Sequence, residues 1–218
     1  MVRYGQSQMR ILVACERSQR LTMELRRLGH EAFSCDTAPA MRKDHLDWHI
    51  QGDCIEQLGN GQQWGMIVAF PPCTHLSAAG AQYWPQKQAE QAAAIEFVKA
   101  IANANCPRIA IENPVGVLST AMRKPDQIIQ PWQFGEAFTK RTCLWLKGLP
   151  LLTPTNVVEP TAFWCSSSYR GGKRKDGTRR KNPLKNANPY GGKGPDRKRC
   201  LTFAGIAKAM AEQWAGDV

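Results

Sequence analysis

Apolar runs alternate with helical segments along most of this chain. Continuous apolar or β-branched runs predict strands buried on both faces, and apolar residues at 21, 25 and 28 predict one face of a helix. The predicted strands cover 9–16, 30–36, 49–54, 66–69, 108–111 and 142–146, the last being a candidate antiparallel strand. The predicted helices cover 20–28, 87–104 and 205–214. Strands that alternate with helices in this way predict an α/β domain with a doubly wound, mostly parallel sheet.

Two reactive side chains stand just after predicted strands. Cys73 follows the fourth strand within Phe70-Pro71-Pro72-Cys73-Thr74, and Glu112 follows the fifth, before Asn113-Pro114. Because open α/β sheets bind ligands at the carboxyl ends of their strands, we expect the thiol and the carboxyl to face one crevice. A thiolate that adds to an electron-poor ring while a carboxylic acid protonates that ring is chemistry that such a pair supports. The alternatives are a buried thiol in a turn for Cys73 and a helix-capping acid for Glu112.

A second set of polar side chains marks the ends of the first three strands. The segment Cys15-Glu16-Arg17-Ser18 follows the first strand, and Asp36 and Asp53 stand at the ends of the second and third. An acid after the second strand is where nucleoside-binding folds hold ribose hydroxyls, and a helix N-terminus after the first strand can receive a carboxylate or phosphate. Acids at strand ends are also common as caps and turn residues. The sequence has no G-x-G-x-x-G motif, which counts against NAD or FAD.

The net charge of +11 is concentrated in one segment. Residues 170–199 contain twelve Lys or Arg and two Asp, and so carry nearly all of that charge. A basic segment of this kind most often meets phosphate, and Arg179, Arg180 and Lys181 would follow a nucleic-acid backbone while Tyr169 and Tyr190 stack on bases. The alternative is a solvated loop that binds nothing in particular.

The eight cysteines have no C-x-x-C spacing, which argues against a zinc ribbon or a redox pair of that type. His45 and His49 have helical i,i+4 spacing and His75 lies close to Cys73, but a third convincing ligand is missing, so we expect no metal. We also expect no signal peptide and no transmembrane segment. The expectation is therefore a cytoplasmic protein with reduced thiols.

Taken in order, these motifs resemble those of the DNA cytosine carbon-5 methyltransferases. Pro71-Pro72-Cys73 resembles the nucleophile motif of that family, and Glu112-Asn113-Pro114 resembles its Glu-Asn-Val motif. Residues 139–146 resemble a variant of its Gln-x-Arg-x-Arg motif with the strand that follows, and the helix from Gly205 resembles the last motif. Nearly the whole chain from 9 to 214 resembles the short phage- and prophage-type members, notably at 127–135 and 144–150.

The resemblance implies a Rossmann-like methyltransferase fold and S-adenosylmethionine-dependent methylation of cytosine at carbon 5 in DNA. Cys73 would add to carbon 6 of a flipped base and Glu112 would act at N3, with Lys140 and Thr142 where the family usually places two arginines near the base. The cofactor-binding residues that it implies are Cys15, Glu16, Ser18, Asp36, Thr37, Asp53, Cys54, Phe70 and Pro71. The DNA-binding residues that we infer are Thr74, Ser77, Arg141, Arg179, Arg180 and Lys181, with simple loop capping as the alternative for Thr74 and Ser77.

The same reasoning predicts three parts of the chain. Residues 1–150 form the catalytic core, 151–199 form a short, irregular basic segment that contacts DNA, and 200–218 form a helix that completes the core. We expect a monomer in the cytoplasm of a bacterial host. The family's first motif is rich in glycine, whereas 15–19 here contain none. That difference, together with Lys140 and Thr142, favours one alternative, a nucleic-acid-binding protein without chemistry on a methyltransferase fold. A second alternative is a related pyrimidine carbon-5 enzyme that acts on RNA or nucleotides, since the same Cys and Glu chemistry would serve it.

Overall fold

The computed structural model describes residues 8–59, 61–164, 185–187 and 201–216. Its strands are β1 (Arg10–Ala14), β2 (Glu31–Asp36), β3 (His49–Gln51), β4 (Met66–Ala69), β5 (Ile109–Pro114), β6 (Gln127–Ile129), β7 (Phe138–Thr139), β8 (Thr142–Lys147), β9 (Ala162–Trp164) and β10 (Lys185–Ala187). Its α-helices are α1 (Arg20–Arg27), α2 (Cys54–Gly59), α3 (Gln88–Ala102), α4 (Leu118–Ala121) and α5 (Ala204–Ala215). Short 3₁₀ segments cover Leu46–Trp48, Ala78–Gln86 and Pro131–Gln133.

Seven of these strands form one sheet in the order β3-β2-β1-β4-β5-β8-β6. Strand β8 runs antiparallel to both of its neighbours, and the other pairings of this sheet are parallel. The order β3-β2-β1-β4-β5 is that of a doubly wound sheet, which changes direction between β1 and β4. The predicted fold class, an α/β protein with a doubly wound and mostly parallel sheet, is therefore confirmed. Strands β7, β9 and β10 form a second, three-stranded sheet.

The core lies on both faces of the large sheet. In β1, Ile11 and Val13 point to the side covered by α1 and α5, whereas Leu12 and Ala14 point to the side covered by α2, α3 and α4. All four side chains are fully buried. Because helices cover both faces, the central strands can be apolar at every position, which is why their sequences show no alternation.

The third predicted strand is shorter than expected, and a helix was missed beside it. Cys54 does not end β3, as predicted, but begins α2. The helix can begin there because Oδ1 of Asp53 accepts a hydrogen bond from the backbone N–H of Ile55 at 2.9 Å, which satisfies one of the unpaired donors at the helix start. Strands β6, β7, β9 and β10 and the short helix α4 were not predicted either. The antiparallel direction of β8 agrees with the sequence interpretation.

Helix α5 returns the end of the described chain to the sheet. It packs against α1, and the indole N–H of Trp214 donates to the carbonyl of Pro150 at 3.0 Å. At its start, a Cβ on Gly205 would lie 1.8 Å from the carbonyl oxygen of Phe134, so only glycine allows this approach. The backbone N–H of Gly205 donates to Oε1 of Glu136 at 2.8 Å. These contacts fix the first turn of α5 beside the sheet edge. The predicted division of the chain into 1–150, 151–199 and 200–218 stays a prediction.

Three classes of feature are missing from the described part of the chain. No helix there is both long enough and apolar enough to cross a membrane. Its six cysteines form no disulfide, and no group of three His, Cys, Asp or Glu side chains is placed to hold a metal ion. His49 is engaged instead with the Ser34 hydroxyl at 2.9 Å and the Ala38 carbonyl at 3.0 Å.

Candidate active site

A small pocket lies where β4 and β5 end and β8 begins. Because β8 is antiparallel to β5, the register pairs Thr142, at the start of β8, with Pro114 at the end of β5. The end of β5 and the start of β8 therefore lie at the same edge of the sheet. The pocket is lined by four of the predicted site residues and by four residues at the start of α5: Phe70, Glu112, Lys140, Thr142, Leu201, Thr202, Phe203 and Ile206.

The carboxyl of Glu112 is the acidic group of this pocket. Burial raises the pKa of Glu112 above its ordinary value, because the surroundings disfavour the charged form. The ammonium of Lys140 and a hydrogen bond with the Thr142 hydroxyl pull that pKa down, but the effect of burial is larger. A carboxyl that keeps its proton to higher pH is suited to act as an acid.

The loop that carries Cys73 is fastened to the strand that carries Glu112. The side-chain amide of Asn113, which is buried, donates to the carbonyl of Pro71 at 2.9 Å. Two backbone hydrogen bonds of 2.9 Å follow, from the N–H of Val117 to Leu76 and from the N–H of Ala78 to Val115. Cys73 itself is partly exposed and lies on this loop, not among the residues that line the pocket. The loop of the thiol and the strand of the carboxyl therefore form one hydrogen-bonded unit.

Gly116 permits the closest approach between these two segments. Ser77 and Gly116 form an isolated antiparallel bridge. A Cβ on Gly116 would lie 1.9 Å from the carbonyl oxygen of Leu76 and 3.0 Å from the Cα of Ser77. Both of these are backbone atoms, which cannot rotate away as the end of a side chain would.

We expect Gly116→Ala to separate the Cys73 loop from β5. The added methyl group forces backbone atoms apart, and overpacking of this kind costs roughly 1–3 kcal/mol of unfolding free energy. Denaturant unfolding measures that loss. The matched control is Gly59→Ala in α2, since a Cβ there would meet nothing within 4 Å. Equal stability of the two variants would contradict the proposed close approach.

The second predicted set of side chains gathers at the ends of β1, β2 and β3. The parallel register pairs Ala14 with Cys35, and the backbone N–H of Gly52 donates to the carbonyl of Asp36 at 3.0 Å. Cys15, Asp36, Thr37, Asp53 and Cys54 therefore lie along one edge, with Thr37 and Asp53 exposed. The N–H of Phe70 donates to the carbonyl of Ala14 at 3.0 Å, which joins this edge to the loop of Cys73.

The two aspartates of this edge share one arrangement. Oδ1 of Asp36 accepts from the N–H of Ala38, and Oδ1 of Asp53 accepts from the N–H of Ile55, both at 2.9 Å. In each case the described residues supply no hydrogen bond to the second carboxylate oxygen. Each aspartate can therefore hold its loop and still accept a hydrogen bond from a ligand hydroxyl or amine.

The carboxyl of Glu16 is turned toward the start of α1. Its side chain is buried, and its oxygens accept from the N–H of Leu21 at 2.8 Å and from the N–H and hydroxyl of Thr22 at 3.2 and 2.7 Å. The hydroxyl of Ser18 donates to it at 3.4 Å. Burial raises the pKa of Glu16 although these hydrogen bonds oppose the rise. The carboxyl thus caps the first turn of α1, and the binding roles predicted for Glu16 and Ser18 stay predictions.

The residues predicted to contact DNA are only partly described. Thr74 and Arg141 are exposed. The hydroxyl of Ser77 accepts from the N–H of Ala79 at 3.3 Å and so caps the 3₁₀ segment Ala78–Gln86, as in the alternative that the sequence left open. Arg179, Arg180 and Lys181 lie outside the described residues.

Comparisons with known proteins do not by themselves assign a function to this chain. No protein-family model matches the chain, and no curated protein matches it. Among solved structures, a similar chain is an E. coli prophage-encoded protein provisionally named a DNA modification methyltransferase, with 11% identity and a TM-score of 0.40. The match covers 68% of this chain and 52% of that one, so this chain spans about half the length of the solved structure.

Sequence reasoning missed the residues that close the pocket from the α5 side. Leu201, Thr202 and Phe203 belong to no recognisable motif. Nη1 of Arg20 in α1 donates to the carbonyl of Thr202 at 2.6 Å, which ties this segment to α1. The Lys140 ammonium lies 5.6 Å from the centre of the Phe203 ring, a cation–π distance. The pairing of Asn113 with Pro71 was also missed, although both residues stand inside the quoted motifs.

The pocket is small, with room for about one water molecule. Its volume is about 30 Å³, which equals the share of one water molecule in the liquid. A pyrimidine ring is several times larger than this volume, so the pocket as it stands does not hold one. A larger cavity of about 540 Å³ lies between α3, β5 and β8. Of the three cations that line it, Lys99 is paired with Glu96, Arg123 is paired with Asp126, and Lys147 donates to the carbonyl of Ala104 at 3.3 Å.

Proposed function

We propose that this protein is an S-adenosylmethionine-dependent methyltransferase that modifies carbon 5 of cytosine in DNA. One observation supports the proposal most strongly. The loop of Cys73 is hydrogen-bonded through Asn113 to the strand of Glu112, whose pKa is raised by burial in the pocket. A nucleophile and an acid held as one unit are what carbon-5 chemistry needs.

Carbon 5 of cytosine is not nucleophilic enough on its own to attack a methyl sulfonium. When the Cys73 thiolate adds to carbon 6, a carbon–sulfur bond forms and the ring becomes an enamine with a nucleophilic carbon 5. Glu112 stabilises that addition by giving a proton or a strong hydrogen bond to N3. After carbon 5 has gained the methyl group, a base removes the carbon-5 proton, the double bond between carbons 5 and 6 re-forms, and the carbon–sulfur bond breaks to release the Cys73 thiolate. N3 then returns its proton to the Glu112 carboxylate.

The methyl donor would bind at the edge formed by β1, β2 and β3. S-adenosylmethionine supplies an electrophilic methyl group there. Asp36 would accept hydrogen bonds from its ribose hydroxyls and Asp53 would accept from its adenosine part, since each has an oxygen that the described residues leave unused. The turn at Cys15 and the backbone at Phe70 and Pro71 would face the same ligand. These carboxylate oxygens accept hydrogen bonds, so they fit a nucleoside that carries hydroxyl and amine groups as donors.

The target cytosine must leave its duplex, or be single-stranded, before Cys73 can reach carbon 6. Its ring would enter between Glu112 and the residues at the start of α5, and the segment at 201–203 would move to admit it. Thr74 and Arg141 lie exposed on the loops beside the pocket and would contact the flipped nucleotide or its phosphates. The basic residues of 170–199 would hold the rest of the backbone.

The test is methyl transfer from S-adenosylmethionine to unmodified DNA, with the product digested and its nucleosides identified by mass spectrometry. We expect 5-methyldeoxycytidine. If methylated product forms on RNA or on free nucleotides but not on DNA, that acceptor replaces DNA as the proposed substrate. No modified nucleoside on any of the three would reject the proposed reaction and favour a protein that binds nucleic acid without chemistry.

We expect deletion of 171–181 to weaken DNA binding at least about tenfold at moderate salt. The deleted segment contains six Lys or Arg and one Asp, so its removal eliminates much of the counterion release that drives association. Binding of S-adenosylmethionine should not change, because the acids proposed to hold it lie at the ends of β2 and β3. Fluorescence anisotropy of labelled DNA across a salt series and calorimetry with the cofactor measure the two effects.

The control keeps the length and charge of that segment but scrambles its order. If electrostatic attraction is the cause, the scrambled segment keeps the affinity and the salt slope, whereas an uncharged Gly/Ser segment of the same length loses both. Unchanged DNA affinity in the deletion would disprove the assigned role of Arg179, Arg180 and Lys181.

A further inference from the structure

Two thiols lie side by side at the edge formed by β1, β2 and β3. The Sγ atoms of Cys15 and Cys54 are 4.0 Å apart and are hydrogen-bonded to each other. Cys15 follows β1 in a turn and Cys54 is the first residue of α2, so the fold brings together two positions that are distant in sequence. Neither thiol is the proposed nucleophile, which is Cys73, although both lie at the edge where the methyl donor is proposed to bind.

We propose that Cys15 and Cys54 are a redox modification site, at which hydrogen peroxide converts the two thiols into a reversible disulfide. This inference goes beyond the proposed function and does not depend on it. Its substrate is a peroxide, and its product is a crosslink between the end of β1 and the start of α2.

The geometry favours this pair over the third cysteine nearby. A disulfide needs the sulfurs about 2.05 Å apart, so the two sulfurs, which are 4.0 Å apart in the reduced pair, must approach each other by roughly 2 Å. Cys15 has a φ of 60° in the turn after β1, outside the regular strand. Cys35 is fixed differently, because it stands inside β2 and its thiol points toward the carbonyl of Gly52 at 3.6 Å.

The two thiols have unequal acidity, which assigns them different parts. The hydrogen bond from Cys15 lowers the pKa of Cys54, while the same contact and burial raise the pKa of Cys15. Cys54 is therefore the thiol that ionises first, and Cys15 donates a hydrogen bond to its thiolate. Thiolates, not thiols, react with peroxide.

The reaction balances in two steps. The Cys54 thiolate attacks one oxygen of hydrogen peroxide, the O–O bond breaks, and after proton uptake one water leaves with Cys54 as sulfenic acid. The Cys15 sulfur then attacks the Cys54 sulfur, the S–O bond breaks, and the hydroxide takes the Cys15 proton to leave as a second water. Two thiols have lost two electrons, and one peroxide has become two waters. Cys54 is only 4% exposed, so only a small oxidant such as hydrogen peroxide would reach its sulfur in the folded chain.

The experiment exposes the reduced full chain to hydrogen peroxide, blocks the remaining thiols by alkylation, and maps linked peptides by mass spectrometry without reduction. We expect a peptide pair that joins Cys15 to Cys54, and we expect dithiothreitol to remove it. A Cys35–Cys54 link, or sulfinic acid at Cys54 with no link, would overturn the proposal. This readout needs no methyl transfer, so a failure of the proposed function would not affect it.

Single variants separate the parts of the two thiols. In Cys15→Ser, the sulfenic acid at Cys54 has no partner, so dimedone added together with denaturant, which exposes this buried position, should label Cys54. In Cys54→Ser, dimedone should not label Cys15. Cys106→Ser is the matched control, because the Cys106 thiol is also buried but donates to the carbonyls of Trp64 and Arg108 at 3.1 and 3.2 Å; it should form the Cys15–Cys54 link as fully as the unchanged protein. Dimedone labelling of Cys15 in place of Cys54 would overturn the assignment.

Discussion

Cys73→Ala is expected to form no detectable 5-methyldeoxycytidine, a loss of at least about 10⁴-fold in turnover. Without the thiol nothing adds to carbon 6, and carbon 5 stays too weak a nucleophile to accept a methyl group. The cofactor edge and the basic segment are untouched by this change, so affinity for S-adenosylmethionine and for DNA should stay within about twofold. Mass spectrometry of digested DNA and calorimetry with the cofactor provide the two measurements.

The control for Cys73→Ala is Cys106→Ala. Cys106 precedes β5 and so lies at the opposite edge of the sheet, and its substitution should lower stability without lowering turnover. If both variants lose activity in proportion to their stability, the effect of Cys73→Ala is structural. If Cys73→Ala still forms the product, the thiolate addition is wrong and with it the proposed mechanism.

A covalent trap tests the same step directly. In DNA that carries 5-fluorocytosine, carbon 5 holds fluorine where the last step must remove a proton, so the enzyme–DNA bond cannot be released. We expect the unchanged protein with S-adenosylmethionine to form a complex that survives denaturing electrophoresis, and Cys73→Ala to form none. A stable complex in Cys73→Ala would identify another nucleophile.

The large sheet could be predicted because its information is local. Runs such as 66–69 are apolar at every position, and this pattern by itself predicts strands covered by helices on both sides. The elements that were missed are short and depend on partners elsewhere in the chain. Strand β6 has three residues and exists through its pairing with β8, while α2 has six residues and begins at the cap formed by Asp53.

Only those residues of the candidate site that belong to a sequence motif could be predicted from the sequence. Glu112 and Thr142 were placed near one another by motif order, and the antiparallel register of β5 and β8 brings them to one pocket. Phe203 had no such signal, since its place depends on how α5 packs against α1. The burial that raises the pKa of Glu112 is likewise a property of the folded chain, not of the residues beside it in the sequence.

Glu112→Gln is expected to lower turnover by about 10²–10⁴-fold while increasing stability at neutral and alkaline pH. The glutamine amide can donate a hydrogen bond at N3 but cannot transfer a proton to it, which accounts for the loss of activity. Turnover of the unchanged protein should fall as the pH rises through the raised pKa of Glu112, because the acid form is then lost. The residual turnover of Glu112→Gln should not decrease with rising pH in this way. Glu90→Gln, an exposed site on α3, should change neither property.

The stability effect follows from the direction of the pKa shift. The pKa of Glu112 is higher in the folded state than in the unfolded chain, so between those two values the folded state binds more protons and unfolding free energy decreases as the pH rises. At a pH below both pKa values, the carboxyl is neutral in the folded and the unfolded state. Glu112→Gln should then hardly change the free energy of unfolding. The difference in unfolding free energy between Glu112→Gln and the unchanged protein should therefore grow as the pH rises from the ordinary pKa of a glutamate to the raised pKa of Glu112, and it should then level off. Activity and stability that fall together in Glu112→Gln would show that the carboxyl supports the fold and is not held as an acid for catalysis.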